Sequence, residues 1–183
     1  MGKTGTSSIP ERSEIPEEET WRLEDLFESP EAWEEALQKS ETMGKDLASL
    51  KGSLKESAAG LLEGLRLADA LEELVDHIVV YAHLLSHQDT RNSHAQSMAA
   101  RSLSMAVKTG ERTSFVVPEI LEAGKDRILK FMKERQGLEH YRFLLEDIFR
   151  QSAHRLSTEE ETLLSGAGEI AHASENVFSM LTN

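Results

Sequence analysis

No proline interrupts the stretch from Ser57 to Asp89, and within it apolar residues recur every three or four positions. Leu61, Leu65, Ala68, Leu71, Val75, Ile78, Ala82 and Leu85 therefore share one face of an α-helix. Leu67, Leu74 and Tyr81 widen that stripe, and a stripe so broad has to meet more than one neighbour. Glu63, Arg66, Glu73 and Asp76 fall on the opposite, solvated side. At about 1.5 Å per residue the helix spans roughly 45–50 Å, longer than a small domain is wide. A chain organised around such a rod is expected to be all-α, with long antiparallel helical hairpins forming an elongated bundle.

The composition supports that class. The 183 residues suffice for one core with an ordered arm, and the apolar content is mostly Leu and Ala with only 5% aromatics, which favours helix over strand. With 20 Lys and Arg against 33 Asp and Glu, the net charge is −13. A nucleic-acid partner needs a basic footprint, which is not visible here, and an anionic membrane surface would repel the chain. The absence of cysteine excludes disulfides and thiolate metal sites and suits a cytoplasmic protein. The N-terminus has no apolar core of the kind a signal peptide needs, and no stretch of about 18 apolar residues could span a membrane.

Residues 1–13 are Gly-, Ser- and Thr-rich without periodicity and read as a disordered leader. Gly2-Lys3-Thr4 lacks the upstream glycine and the preceding strand of a phosphate-binding loop, so no nucleotide site follows from it. Between Glu11 and Glu35 there are eleven acidic residues and two basic ones, so most of the net charge arises there. That charge reads as a solvated surface, with attraction of basic peptides as the sharper alternative. Trp21, Leu23, Leu26 and Phe27 lie within the same stretch, and residues 14–29 are expected to form an extended acidic arm docked on the helical body. Ser29-Pro30-Glu31 is a helix start, with Ser as N-cap and Pro at the first helical position. The helix carries Trp33, Leu37, Met43 or Gly44, Leu47 and Leu50 and ends at Lys51-Gly52.

Beyond the long helix, residues 87–93 form a polar turn, and a third helix starts near Asn92 or Ser93. Its apolar positions are Ala95, Met98, Ala99, Leu103, Met105, Ala106 and Val107, and it is expected to continue through Phe115 to a bend at Pro118. Gly124 stops the following segment, and Lys125–Gln136 forms a short amphipathic helix closed by Gly137. From His140 to Arg150, Tyr141, Leu144, Leu145, Ile148 and Phe149 are expected to face inward. A capping box, Ser157 to Glu160, opens a last helix that runs to about Leu181.

The candidate chemistry is sparse. His83 and His87 stand at the i, i+4 spacing by which helices of zinc peptidases present two ligands. Leu84 occupies the place where the general-base glutamate should follow the first histidine, and His94 lies beyond the turn. Two histidines on the polar face near a helix end account for the pair, so neither is assigned as a metal ligand. His77, His140, His154 and His172 are scattered, and no serine or carboxylate completes a nucleophile–base arrangement. No catalytic residue is assigned, and substrate-binding residues are not identifiable.

One resemblance goes further. The stretch 14–27, EIPEEETWRLEDLF, followed by Ala32-Trp33-Glu34, resembles the start of oligoendopeptidase F-type zinc metallopeptidases, within the thimet-oligopeptidase-like group. Tyr81-Ala82-His83 through Asp89-Thr90-Arg91-Asn92, the segment 140–147 (HYRFLLED) and the segment 154–161 (HRLSTEEE) agree in order and spacing. The resemblance covers about Glu14 to Asn183. It implies an N-terminal helical region built of long hairpins that forms part of the wall of an enclosed substrate channel. The zinc-binding H-E-x-x-H and its downstream glutamate belong to a C-terminal catalytic domain, and neither is present here. No family catalytic residue therefore falls on any position of this chain.

Two functions are expected from this reading. In the first, residues 30–183 are the non-catalytic helical N-terminal domain of an oligoendopeptidase F-like zinc metalloendopeptidase. That domain would shape the channel that admits short peptides, partner a C-terminal catalytic domain and be inactive alone, with zinc only in the full-length family. In the second, the chain is a stand-alone helical protein-interaction module derived from such a peptidase. Apolar surface left uncovered without the catalytic domain would favour self-association.

Overall fold

The computed structural model describes residues 14–152; the leader, the capping box at Ser157 and the last helix expected from the sequence lie outside the described residues. Every regular element among the described residues is helical. Six α-helices follow one another: α1 Pro30–Ser49, α2 Ala58–Gln88, α3 Ser93–Thr113, α4 Val116–Ala123, α5 Lys125–Glu134 and α6 Arg142–Ser152. The chain divides into two units, Met1–Glu139 and His140–Asn183.

Local chemistry sets the helix starts of the first unit. Ser29 is extended (φ −158°, ψ 164°), and its hydroxyl accepts the Ala32 N–H at 3.3 Å. Pro30 follows at the first helical position, where its missing N–H leaves no bond unmade. Ser57 does the same for α2, accepting from Gly60 N–H at 3.1 Å. The Asn92 side chain accepts from both His94 and Ala95 at the start of α3. Each cap satisfies donors that the first turn cannot pair internally.

The helices α1, α2 and α3 all pack on one another. Trp33 near the start of α1 meets Ile78 in the C-terminal half of α2, whereas Gly44 further along α1 approaches Leu71. Helix α1 thus runs antiparallel to α2. Arg101 reaches Glu34 and Arg112 reaches Glu41, which sets α3 parallel to α1. The core between them holds Trp33, Ala36, Ile78, Tyr81, Ala82, Met98, Ala99 and Met105. A second buried group, Leu54, Leu61, Leu65, Ile128, Phe131 and Leu138, lies in the first half of α2, the connection before it and the α5 region. Gly64 admits a close approach there: a Cβ would lie 3.0 Å from the Leu54 side chain.

Several sequence expectations need correction. Helix α3 ends at Thr113, and a new helix, α4, begins at Val116, rather than one helix bending at Pro118. Proline cannot donate and clashes with the carbonyl four residues back, so the break ahead of it places Pro118 in the first turn of α4, where both defects are tolerated. Of the apolar positions of α3, Leu103 and Val107 are 51% and 64% exposed. The buried line of α3 runs instead through Ala95, Met98, Ala99, Ser102, Met105 and Thr109. Ser102 can face inward because its hydroxyl donates to the Ala99 carbonyl at 2.8 Å. Of the Met43–Gly44 alternative, Gly44 is the buried residue. Helix α5 ends at Glu134, two residues before Gln136. At its other end, Gly124 joins α4 to α5 at φ 83°, a backbone region that L side chains rarely adopt.

In the second unit, Leu145 is the buried residue of α6. Leu144, expected to face inward, is 42% exposed, as is the neighbouring Phe143 at 79%.

Candidate functional site

The residues that the sequence singles out gather where the acidic arm crosses the C-terminal end of α2. The arm is more curled than the extended form expected, with 3-10 turns at Glu17–Glu19 and Leu23–Asp25. In the second turn the Leu23 carbonyl accepts from the N–H groups of both Leu26 and Phe27. That curl brings Leu23 and Phe27 to the same side. Leu23 is buried, and the Phe27 ring meets Tyr81 of α2 edge-on, with centroids 5.4 Å apart. Trp21 stands between the two turns and is 72% exposed, so it does not dock with its neighbours as expected.

Two grooves flank the arm. One, of about 210 Å³, is lined by Glu19, Trp21, Leu23, Leu84 and His87. The other, of about 310 Å³, lies against Tyr81, Leu85, Phe27 and Glu28. Burial pushes the Tyr81 phenol above its usual value, and the negative charges of Glu24 and Glu31 add to the shift. Glu31 itself is held low, chiefly by its backbone hydrogen bond at the helix start and then by Ser29.

His83 and His87 sit beside these grooves, and their rings meet at 6.1 Å between centroids and 77° between planes. His87 is exposed. His83 is not the polar-face residue expected, because it is half-buried and its Nε2 is buried without a hydrogen-bond partner among the described residues. The face of α2 that carries it also carries the buried Ser86, whose hydroxyl donates to the His83 carbonyl at 2.8 Å. His94 lies near the start of α1, within electrostatic reach of Glu31 and Glu34. His77 and His140 are exposed, and His154 and His172 lie outside the described residues. Among the described residues no three His, Asp or Glu side chains are grouped so as to hold a metal ion. A catalytic zinc needs three protein ligands and an open position, so these residues do not fit one. No helix among them is long and apolar enough to cross a membrane.

The strongest polar interactions are structural. Arg101 forms a bidentate pair with Glu34 and lies 5.3 Å over the Trp33 ring. The hydrogen bond from Arg101, followed by its charge, holds the Glu34 carboxyl below the usual range. Sequence reasoning missed Glu119 altogether. This carboxylate on α4 is buried and accepts the N–H groups of Gly52 and Leu54 in the connection between α1 and α2. Nearby, Lys55 pairs with Glu122 at 2.9 Å, and that hydrogen bond raises the lysine's pKa. A 65-residue separation leaves no local signal by which Glu119 could be recognised.

Comparison with known proteins adds what the side chains do not supply. A family model described as Oligopeptidase F matches residues 119–183. Oligopeptidase PepF of Bacillus subtilis is 37% identical over 177 residues, which covers 97% of this chain but 26% of that protein. The plasmid-borne oligoendopeptidase F of Lactococcus lactis subsp. cremoris is 34% identical, over 94% of this chain and 29% of its own length. The crystal structure of oligoendopeptidase-F from Enterococcus faecium superposes with a TM-score of 0.69 at 36% identity, covering 85% of this chain and 31% of that one. A putative peptidase from Chlamydophila abortus gives a TM-score of 0.71 at 26% identity. The chain thus spans between a quarter and a third of the length of the relatives it matches.

Proposed function

Because this chain belongs to the oligopeptidase F family as its N-terminal region, we propose that it is the non-catalytic helical wall of a zinc-dependent oligoendopeptidase. In this reading the wall bounds a channel that admits short peptides. The zinc and the groups that act on the scissile bond belong to another part of the longer protein. The reading is carried by one observation: relatives named as oligopeptidases align along nearly all of this chain while extending far beyond it.

Grafting tests it. Residues 14–183 replace the matching region of the Bacillus subtilis oligopeptidase, and the lengths of peptide cleaved are compared with those of the parent. The expected result is a zinc-dependent peptidase whose length preference follows the grafted region. An active chimera with the parent's length preference would overturn the channel role. Zinc-dependent peptide hydrolysis by the pure 183-residue chain would overturn its non-catalytic character.

A stand-alone interaction module is the second reading, favoured by the exposed Leu103 and Val107 on one face of α3. It predicts that the chain captures a partner protein through that face and that the graft yields no active peptidase.

A further inference from the structure

Two arginines differ from the rest. Of the nine arginines among the described residues, seven hold a carboxylate or a main-chain carbonyl, as Arg101 holds Glu34 and Arg127 the Glu56 carbonyl. The side chains of Arg66 on α2 and of Arg135 just after α5 make no hydrogen bond or ion pair among the described residues. Both line the same groove, of about 520 Å³, whose other wall includes Leu62, Leu67 and Ala70.

The local structure explains how they come together. Arg66 leaves the solvent side of α2, and its Nη2 lies over Gly137 in the turn beyond α5, where a Cβ would stand 3.2 Å away. Arg135 follows the last residue of α5 as its C-cap, and its N–H donates to the Phe131 carbonyl. Glu63, the one carboxylate on the groove wall, pairs with neither guanidinium. In a chain of net charge −13, an unneutralised pair of planar five-donor groups is matched by a carboxylate, which takes two parallel N–H bonds from such a fork. The apolar wall beside the pair suits the side chain next to that carboxylate.

We propose that the Arg66–Arg135 groove binds the C-terminal carboxylate of a short peptide, whose last side chain lies against Leu62, Leu67 and Ala70. The choice of a peptide rests on the function proposed above; the anion preference rests on the two free guanidiniums. The groove would then retain peptides by their free end at a site separate from bond cleavage.

The test is a titration of the 183-residue chain, followed by backbone amide shifts, with the tripeptide Ala-Ala-Leu, its C-terminal amide and inorganic phosphate. The free acid should bind with a dissociation constant in the millimolar range or below and move the amides around Arg66 and Gly137. Amidation of the peptide, Arg66→Gln or Arg135→Gln should each weaken binding by about tenfold, and Arg66→Lys should weaken it less. Absence of free-acid binding, equal binding of the amide, or unchanged binding by both glutamine variants would overturn the proposal. So would phosphate binding as tightly as the peptide, which marks a general anion site. If a variant fails to fold, the comparison of acid with amide still decides. No hydrolysis is read in this titration, so its failure leaves the graft result standing, and the reverse also holds.

Discussion

The indole N–H of Trp33 donates to the main-chain carbonyl of Ile78 at 2.9 Å, within a core where Trp33 is wholly buried. Ile78 lies inside α2, so its carbonyl serves the helix and the neighbouring helix at once. One bond thereby fixes the register of α1 along α2. Trp33→Phe keeps most of the buried area but leaves that register unmarked, and should cost about 1–3 kcal/mol in urea unfolding. The two tryptophans separate spectroscopically as well. Trp21→Phe should leave a blue-shifted emission that iodide barely quenches, whereas Trp33→Phe should leave a red-shifted, readily quenched one.

Glu119→Ala should destabilise the chain by about 1–3 kcal/mol, because the Gly52 and Leu54 N–H groups lose a charged acceptor. Hydrogen exchange at those two amides is the direct readout and should accelerate more than exchange in the middle of α2. Glu119→Gln keeps one acceptor oxygen and should lie between the two.

The Glu34–Arg101 pair predicts a dependence on acid. The folded pKa of Glu34 is depressed, so its contribution is present above the unfolded carboxylate value and is lost as pH falls through the folded one. Glu34→Gln should flatten the acid side of a plot of melting temperature against pH and leave the alkaline side unchanged. With the two side chains 37% and 45% exposed, the effect should be small and should shrink in high salt.

His83→Leu should be neutral or slightly stabilising, since a buried nitrogen without a partner is exchanged for an apolar group. Zinc should leave the melting temperature of the unaltered chain where it was, because a metal bound only to the folded form would raise it. A zinc-dependent rise abolished by His87→Ala would make His87 a metal ligand after all.

Local features were legible in the sequence because their causes are local. Ser29 caps α1 as expected, and Ser57 and Asn92 cap α2 and α3 in the same way, since a side-chain oxygen within three residues of the orphan donors needs no tertiary help. The broad stripe of α2 likewise follows from spacing alone. Hydrophobicity alone does not mark the inward face of α3. Ser102 and Thr109 satisfy their hydroxyls within their own helix and are buried, whereas Leu103 and Val107 fall on the exposed side. Trp21 was misplaced for a related reason: the curl of the arm, not apolarity, selects Leu23 and Phe27 as the residues that turn inward. The Arg66–Arg135 groove had no sequence signal, because the two residues line one groove only once α5 packs against α2.

The Glu119 clasp also orders events in time. A chain leaving the ribosome exposes Gly52 and Leu54 long before residue 119 emerges. The corner between α1 and α2 can form during synthesis, but its two donors stay with water until α4 appears. Closure of that corner is therefore a late step, and a nascent chain halted ahead of Glu119 should carry an α1–α2 hairpin that proteases cut at the corner.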